Sequence, residues 1–216
     1  MYKVIKRVID FTAALIGGII LTPVFIILMI AIKLDSKGPV LFKQKRVGRN
    51  KKHFNILKFR TMRVDTPKDK PTHLLENPEQ YITKMGAFLR KTSLDELPQI
   101  WNILVGQMSI VGPRPALWNQ YDLIEERDKY GANDVRPGLT GWAQINGRDE
   151  LLIPVKAQFD GEYIQRMNFW FDCKCLIKTI TSIIKHEGVV EGGTGSLNAQ
   201  KAEAAATKEV MGGEDS

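Results

Sequence analysis

Two adjacent acids, Asp95 and Glu96, lie in the stretch SLDELPQ at residues 93–99, and an arginine held between prolines, Arg114, lies in VGPRP at residues 111–115. Adjacent carboxylates beside a stiffened guanidinium suit a site that handles phosphate. A carboxylate supplies an oxyanion nucleophile or a metal ligand, and the arginine binds phosphoryl oxygens through parallel hydrogen bonds. The same letters also describe a helix start. Ser93 with Glu96 three residues on is a capping box, and acids in a first turn are favoured by the helix dipole. Both readings stand, and they are compatible.

Attack on a phosphate ester needs its negative oxygens neutralised. Arg90, Arg114, Arg136 and Arg148 can supply that charge, and Lys58 and Arg60, flanking Phe59, could reach a bound phosphate. The Asp95-Glu96 pair could hold Mg²⁺ bridging phosphate oxygens. Consecutive helical residues point about 100° apart, so both acids reach one ion or one phosphorus only near a helix end, where a carboxylate also stays ionised. The segment RPGLTGWAQINGR at residues 136–148, with Gln144 in it, is too rich in glycine, proline and amides to read as core, and such chains usually line a site. Neither a phosphate-cradling Gly-x-x-x-x-Gly-Lys loop nor a dinucleotide Gly-x-Gly-x-x-Gly turn is present. His53, His73 and His186 are scattered and read as surface residues.

The elements that must position these groups begin with a membrane segment. Residues 11–32 form a run of roughly 22 residues without a formal charge, long enough to span a bilayer. Lys3, Lys6 and Arg7 precede it, and Lys33, Lys37, Lys43, Lys45 and Arg46 follow it, so the positive-inside rule puts both ends in the cytoplasm. A straight helix cannot satisfy that rule. Thr22-Pro23 lies mid-run, where proline removes a donor and collides with the preceding turn, so a break or sharp kink is expected there. Each half would then measure about 16 Å, half the hydrocarbon thickness, in a re-entrant hairpin. The alternative is an ordinary spanning helix that tolerates its proline.

Beyond this anchor the chain reads as α+β and mostly helical. Residues 39–62 alternate around Gly48-Arg49-Asn50 as a β-hairpin, and residues 64–80, with three prolines, read as a loop. A short helix follows at 85–91, and a catalytic helix is expected from the Ser93 cap over about 93–105, kinked at Pro98. A charged helix is expected over 121–130. Residues 159–186 form one amphipathic stretch whose aromatics and lysines suit either a membrane interface or ordinary packing. Cys173 and Cys175 read as reduced thiols, since neighbours in Cys-x-Cys would form a strained disulfide and no further zinc ligands stand near.

The net charge is +7 over 216 residues. Residues 189–216 read as a disordered tail holding two lysines against five acids, so the rest is near +10. An anionic partner follows: nucleic acid, acidic lipid or a phosphorylated substrate. The domain limits expected are an anchor over 1–36, a cytosolic unit over 37–188 and the tail.

Three motifs in order, KFRTM, DELPQIWNILVGQMSIVGPRP and RPGLTGWAQINGR, behind a proline-broken hydrophobic segment, resemble those of the bacterial sugar transferases known as monotopic phosphoglycosyl transferases. The resemblance covers roughly residues 1–188, and the chain looks like the small form of that family. It implies an enzyme of the bacterial inner membrane, facing the cytoplasm, that moves a sugar 1-phosphate from a UDP-sugar to undecaprenyl phosphate and releases UMP, initiating glycan assembly. By position it implies Asp95 as the nucleophile of a covalent phosphosugar intermediate, with Glu96 placing Mg²⁺ or handling the acceptor's proton. Arg114 matches the family's proline-flanked arginine. Lys58, Arg90, Arg136, Gln144 and Arg148 match other basic and amide positions. Thr22-Pro23 stands where the family has Ser-Pro. The competing reading is a non-enzymatic basic module that docks on anionic lipid and recruits assembly proteins. Nucleic-acid binding rests on charge alone and is set aside. The sugar and the oligomeric state, a homodimer among the options, stay open.

Overall fold

The computed structural model describes residues 2–66, 78–147 and 151–184. The described residues are mostly helical, with two small sheets. Arg148, most of the loop after residue 64 and the tail lie outside them.

The N-terminal helix α1 (Tyr2–Asp35) runs without interruption through Pro23. Of the break or sharp kink expected at Thr22-Pro23, the break does not occur: the helix continues across it. The Thr22 hydroxyl donates back to the Gly18 carbonyl at 2.8 Å, a local bond of the kind that bends a helix without ending it. Among the described helices, α1 is the one long and apolar enough to cross a membrane. Ile19, Ile20, Ile27 and Ile30 stand exposed on it, while Ala14, Leu28 and Ile32 are buried against the rest of the chain.

β1 (Leu41–Val47) and β2 (His53–Phe59) pair antiparallel, from Leu41 opposite Phe59 to Val47 opposite His53. Their turn uses Asn50 in the left-handed region, which asparagine tolerates better than most residues. Alternation along β2 turns Phe54 and Ile56 into a core shared with Ala14, Ile103 and Met108. Phe59 packs with Leu28, Ile32 and Leu89 in a second cluster under the far end of α1. β3 (Ser109–Val111) and β4 (Gly138–Thr140) form a short parallel pair.

The helix expected from Ser93 is instead two pieces. A single 3₁₀ turn covers Leu94–Glu96, and α3 (Gln99–Leu104) starts after Pro98. Ser93 caps nothing with its side chain and sits at φ 56°, ψ 16°. It ends the preceding helix, α2 (Lys84–Lys91), as the left-handed residue after the Thr92 C-cap, a place usually filled by glycine. The capping box therefore does not form.

Further along come α4 (Tyr121–Asp128), α5 (Trp142–Ile145), α6 (Ile153–Arg166) and α7 (Phe169–Ile184). The stretch expected to be continuous over 159–186 is broken at Met167-Asn168, because the Asn168 side chain accepts the Phe171 amide and starts a new helix. The glycine-rich segment at 136–148 also differs from expectation. Trp142 and Ala143 are buried, and Trp142 packs on Phe171 while its ring nitrogen donates to Glu162 at 2.6 Å. Glycine here serves close packing: a Cβ on Gly141 would lie 2.1 Å from the Gly112 carbonyl oxygen. Cys173 and Cys175 are free thiols.

Candidate active site

Four elements converge on the acidic pair. β2 delivers Lys58, the 3₁₀ turn delivers Asp95 and Glu96, α2 delivers Arg90, and the Gly112-Pro113-Arg114-Pro115 segment after β3 delivers Arg114. Lys58 Nζ donates to Glu96 Oε1 at 2.7 Å, and Arg114 Nη2 donates to the same oxygen at 3.2 Å. Asp95 is bound differently. Its Oδ2 lies 3.6 Å from Lys58 Nζ, and its carboxylate makes no hydrogen bond with any described residue. A 3₁₀ turn, not a helix N-terminus, brings the two acids to one place.

Electrostatics separate the pair. Burial pushes the Asp95 carboxyl above the ordinary aspartate value; Glu96 adds to that push, and Lys58, Arg90 and Arg114 oppose it. Glu96 is buried as well, but Lys58 and Arg114 outweigh burial and hold its carboxyl far below the ordinary glutamate value. Nearby cations, not a helix dipole, favour the charged form of Asp95.

Local packing fixes these distances. Asn102, in the middle of α3, accepts from the Leu57 amide at 2.9 Å and donates to the Asn55 carbonyl at 2.9 Å, so α3 is stitched to the strand that carries Lys58. Thr61 accepts from Arg90 Nε at 3.0 Å. Gly86 lets α2 come this close, since a Cβ there would sit 2.0 Å from the Thr61 carbonyl oxygen. Sequence reasoning missed Asn102 and Thr61. The amide in the otherwise apolar QIWNIL was the available signal, because a buried amide needs partners.

The other expected site residues lie elsewhere. Arg60 is 5% exposed and donates to the carbonyls of Ser36 and Lys37 and to the Ser36 hydroxyl, so it fastens the chain leaving α1. Arg136 Nε donates to the Gly106 carbonyl at 2.8 Å, beyond the far end of α3. Gln144 donates to the Leu139 carbonyl at 3.2 Å, and its buried side-chain oxygen has no hydrogen-bond partner among the described residues. Arg148 lies outside the described residues.

Among the described residues no group of three or more metal-ligating side chains occurs. Two adjacent carboxylates still fit Mg²⁺, which is commonly held by one or two carboxylates with the substrate's phosphates and water completing its shell. Glu96 would have to give up its hydrogen bonds to Lys58 and Arg114 to accept it, whereas Asp95 has none with a described residue to release.

The family model described as bacterial sugar transferase matches residues 1–186, and the chain belongs to that family. It is 41% identical over 187 residues to the sugar transferase EpsL of Bacillus subtilis, covering 86% of this chain and 90% of the relative. It is 41% identical over 186 residues to the UDP-glucose:undecaprenyl-phosphate glucose-1-phosphate transferase of Escherichia coli, covering 82% of this chain and 40% of that protein. A sugar transferase of Haemophilus influenzae is 38% identical over 200 residues, which cover 86% of this chain and 42% of the relative. The chain thus spans about two-fifths of the length of several curated relatives it matches and nearly all of others.

Proposed function

We propose that the chain transfers a sugar 1-phosphate from a UDP-sugar to undecaprenyl phosphate, on the cytoplasmic face of the bacterial inner membrane. The observation that carries this reading is the asymmetry of the pair: Glu96 is locked by Lys58 and Arg114, while Asp95, beside it, lies 3.6 Å from Lys58 and is hydrogen-bonded by none of the described residues. A carboxylate amid three cations, with no hydrogen bond to a described residue to break, is an available nucleophile towards phosphorus. An oxygen of Asp95 attacks the β-phosphorus, the bond to the UMP oxygen breaks, and UMP departs with that electron pair. Undecaprenyl phosphate then attacks the same phosphorus, releasing Asp95 and forming the diphosphate-linked lipid. Lys58, Arg90 and Arg114 neutralise the phosphoryl oxygens in both steps. Mg²⁺ held by Asp95 or Glu96 would add charge neutralisation on the diphosphate.

What supports the substrates is the company the sequence keeps, since relatives are named for transfer to undecaprenyl phosphate. What supports a re-entrant anchor is that α1 rests on one domain at both ends. Tyr2 and Lys6 bond Asp172 near its start, and Asp35 accepts the Met85 amide at its finish. Ties to the same unit at both ends favour a helix that dips into the membrane and stays on the face it entered. A purely lipid-docking module has no use for a buried acidic pair with matched cations.

The test is UMP release from a panel of UDP-sugars in vesicles carrying undecaprenyl phosphate and Mg²⁺. Sustained release with one donor, lost without the lipid acceptor, is expected. No release with any donor would overturn the reading.

A further inference from the structure

An aspartate in the long apolar helix touches the strand that leads to Arg114. Asp10 is 3% exposed, and its two oxygens are both occupied: Oδ2 accepts the Ser109 hydroxyl at 2.7 Å, and Oδ1 accepts the Ile110 amide at 3.1 Å. Both partners belong to β3. That strand pairs with β4 through Ser109 and Val111, so the Ile110 amide points to the unpaired edge. Asp10 fills the place of a missing strand there. Three residues earlier on the same helix face, Arg7 donates to the Ile103 and Leu104 carbonyls at 2.6 and 2.8 Å, where α3 ends. One turn of α1 therefore grips both the helix that follows the acidic pair and the strand that leads to Arg114.

The path from that grip to the site is short and stiff. The chain runs from Ile110 to Arg114 through Gly112, whose amide donates to the Thr140 carbonyl at 2.8 Å, and Pro113, whose carbonyl accepts the Gly138 amide at 2.9 Å. Prolines on both sides of Arg114 limit the backbone further. A shift at the β3 edge has little slack to absorb it before the 3.2 Å contact between Arg114 and Glu96.

We infer that Asp10 is a positioning residue: it sets the register of β3 against α3 and so the place of Arg114 beside the acidic pair, coupling seating of the membrane helix to assembly of the site. This rests on the reading of Arg114 as a phosphate clamp. In full-length protein in vesicles, Asp10→Ala is expected to lower turnover about tenfold to a hundredfold, the cost of a misplaced catalytic group. Asp10→Asn keeps an oxygen for the Ile110 amide and an amide that can meet Ser109, so it should retain activity within about threefold. In an Arg114→Ala background, Asp10→Ala should cause no further loss, since the clamp it places is gone. Equal losses in both backgrounds, or a loss in Asp10→Asn as large as in Asp10→Ala, would overturn the inference. If Asp10→Ala fails to fold, Ser109→Ala is carried through the same cycle. Hydrogen exchange gives a reading independent of turnover: amides over residues 110–114 should exchange faster in Asp10→Ala with the protein still membrane-bound. Unchanged exchange there overturns the inference even if no donor supports turnover, and wild-type inactivity alone would count against the proposed function.

Discussion

Glu96 holds two cations by hydrogen bonds, while Asp95 stands 3.6 Å from Lys58, and this difference sets how the site should respond to pH. Asp95 must be ionised to attack, so activity should rise with pH through its folded-state value, which burial places above the ordinary aspartate value of about 3.9. Lys58→Met removes the strongest influence favouring the charged form and should move this acid limb to higher pH. Glu96→Gln removes a like charge and should move it to lower pH. Profiles of kcat/KM for UMP release check both directions, and shifts of opposite sign would contradict the electrostatic account. The acids and Arg114 were legible in the sequence because few structural roles need adjacent carboxylates near a proline-bound arginine. From sequence, a guanidinium that reaches phosphate looks the same as one that satisfies main-chain carbonyls, as Arg60 does here.

Ser93 shows why element boundaries were harder to read than elements. The hairpin and the helices near residues 84–91 and 121–128 follow their hydrophobic periods, and the structure has them as β1, β2, α2 and α4. Ser-x-x-Glu, however, is also compatible with a helix stop, and here the chain turns left-handed at Ser93 to finish α2. The two readings differ in stability. A serine N-cap replaced by glycine loses a few tenths of a kcal/mol, whereas a left-handed serine replaced by glycine is relieved of about 1 kcal/mol of strain. Ser93→Gly should therefore raise the denaturation midpoint, and a lowered midpoint would restore the capping box. Between α4 and α6, Arg127 donates to Asp160 at 2.8 Å, with both side chains almost wholly buried. Arg127→Met should destabilise the protein by about 3–5 kcal/mol, because it leaves a carboxylate buried without its cation. Denaturant unfolding measures that loss, and a change under about 1 kcal/mol would show the pair to be dispensable.

Across the whole molecule, α1 joins parts of the chain that the sequence gives no reason to connect. Asp10 meets Ser109, Lys6 meets Asp172 and Leu28 meets Phe59, and no local period announces contacts of such separation. The charges flanking the apolar run are the sequence signal for the expectation that both its ends lie on one side of the membrane. Cysteines introduced at Lys3 and Lys37, in a background lacking Cys173 and Cys175, should both react with an impermeant reagent added from the cytoplasmic side. Reaction of the two from opposite sides would establish a spanning helix instead. A re-entrant anchor would hold Asp95 where a nucleotide sugar arrives from water and a lipid phosphate from the bilayer. The attack by Asp95 is tested most directly by intact-mass measurement of the protein mixed with its UDP-sugar in the absence of lipid acceptor. A mass increase equal to one sugar phosphate is expected, mapped to the peptide containing Asp95, absent in Asp95→Asn and discharged by undecaprenyl phosphate. An adduct on another residue, or sustained turnover by Asp95→Asn, would contradict it.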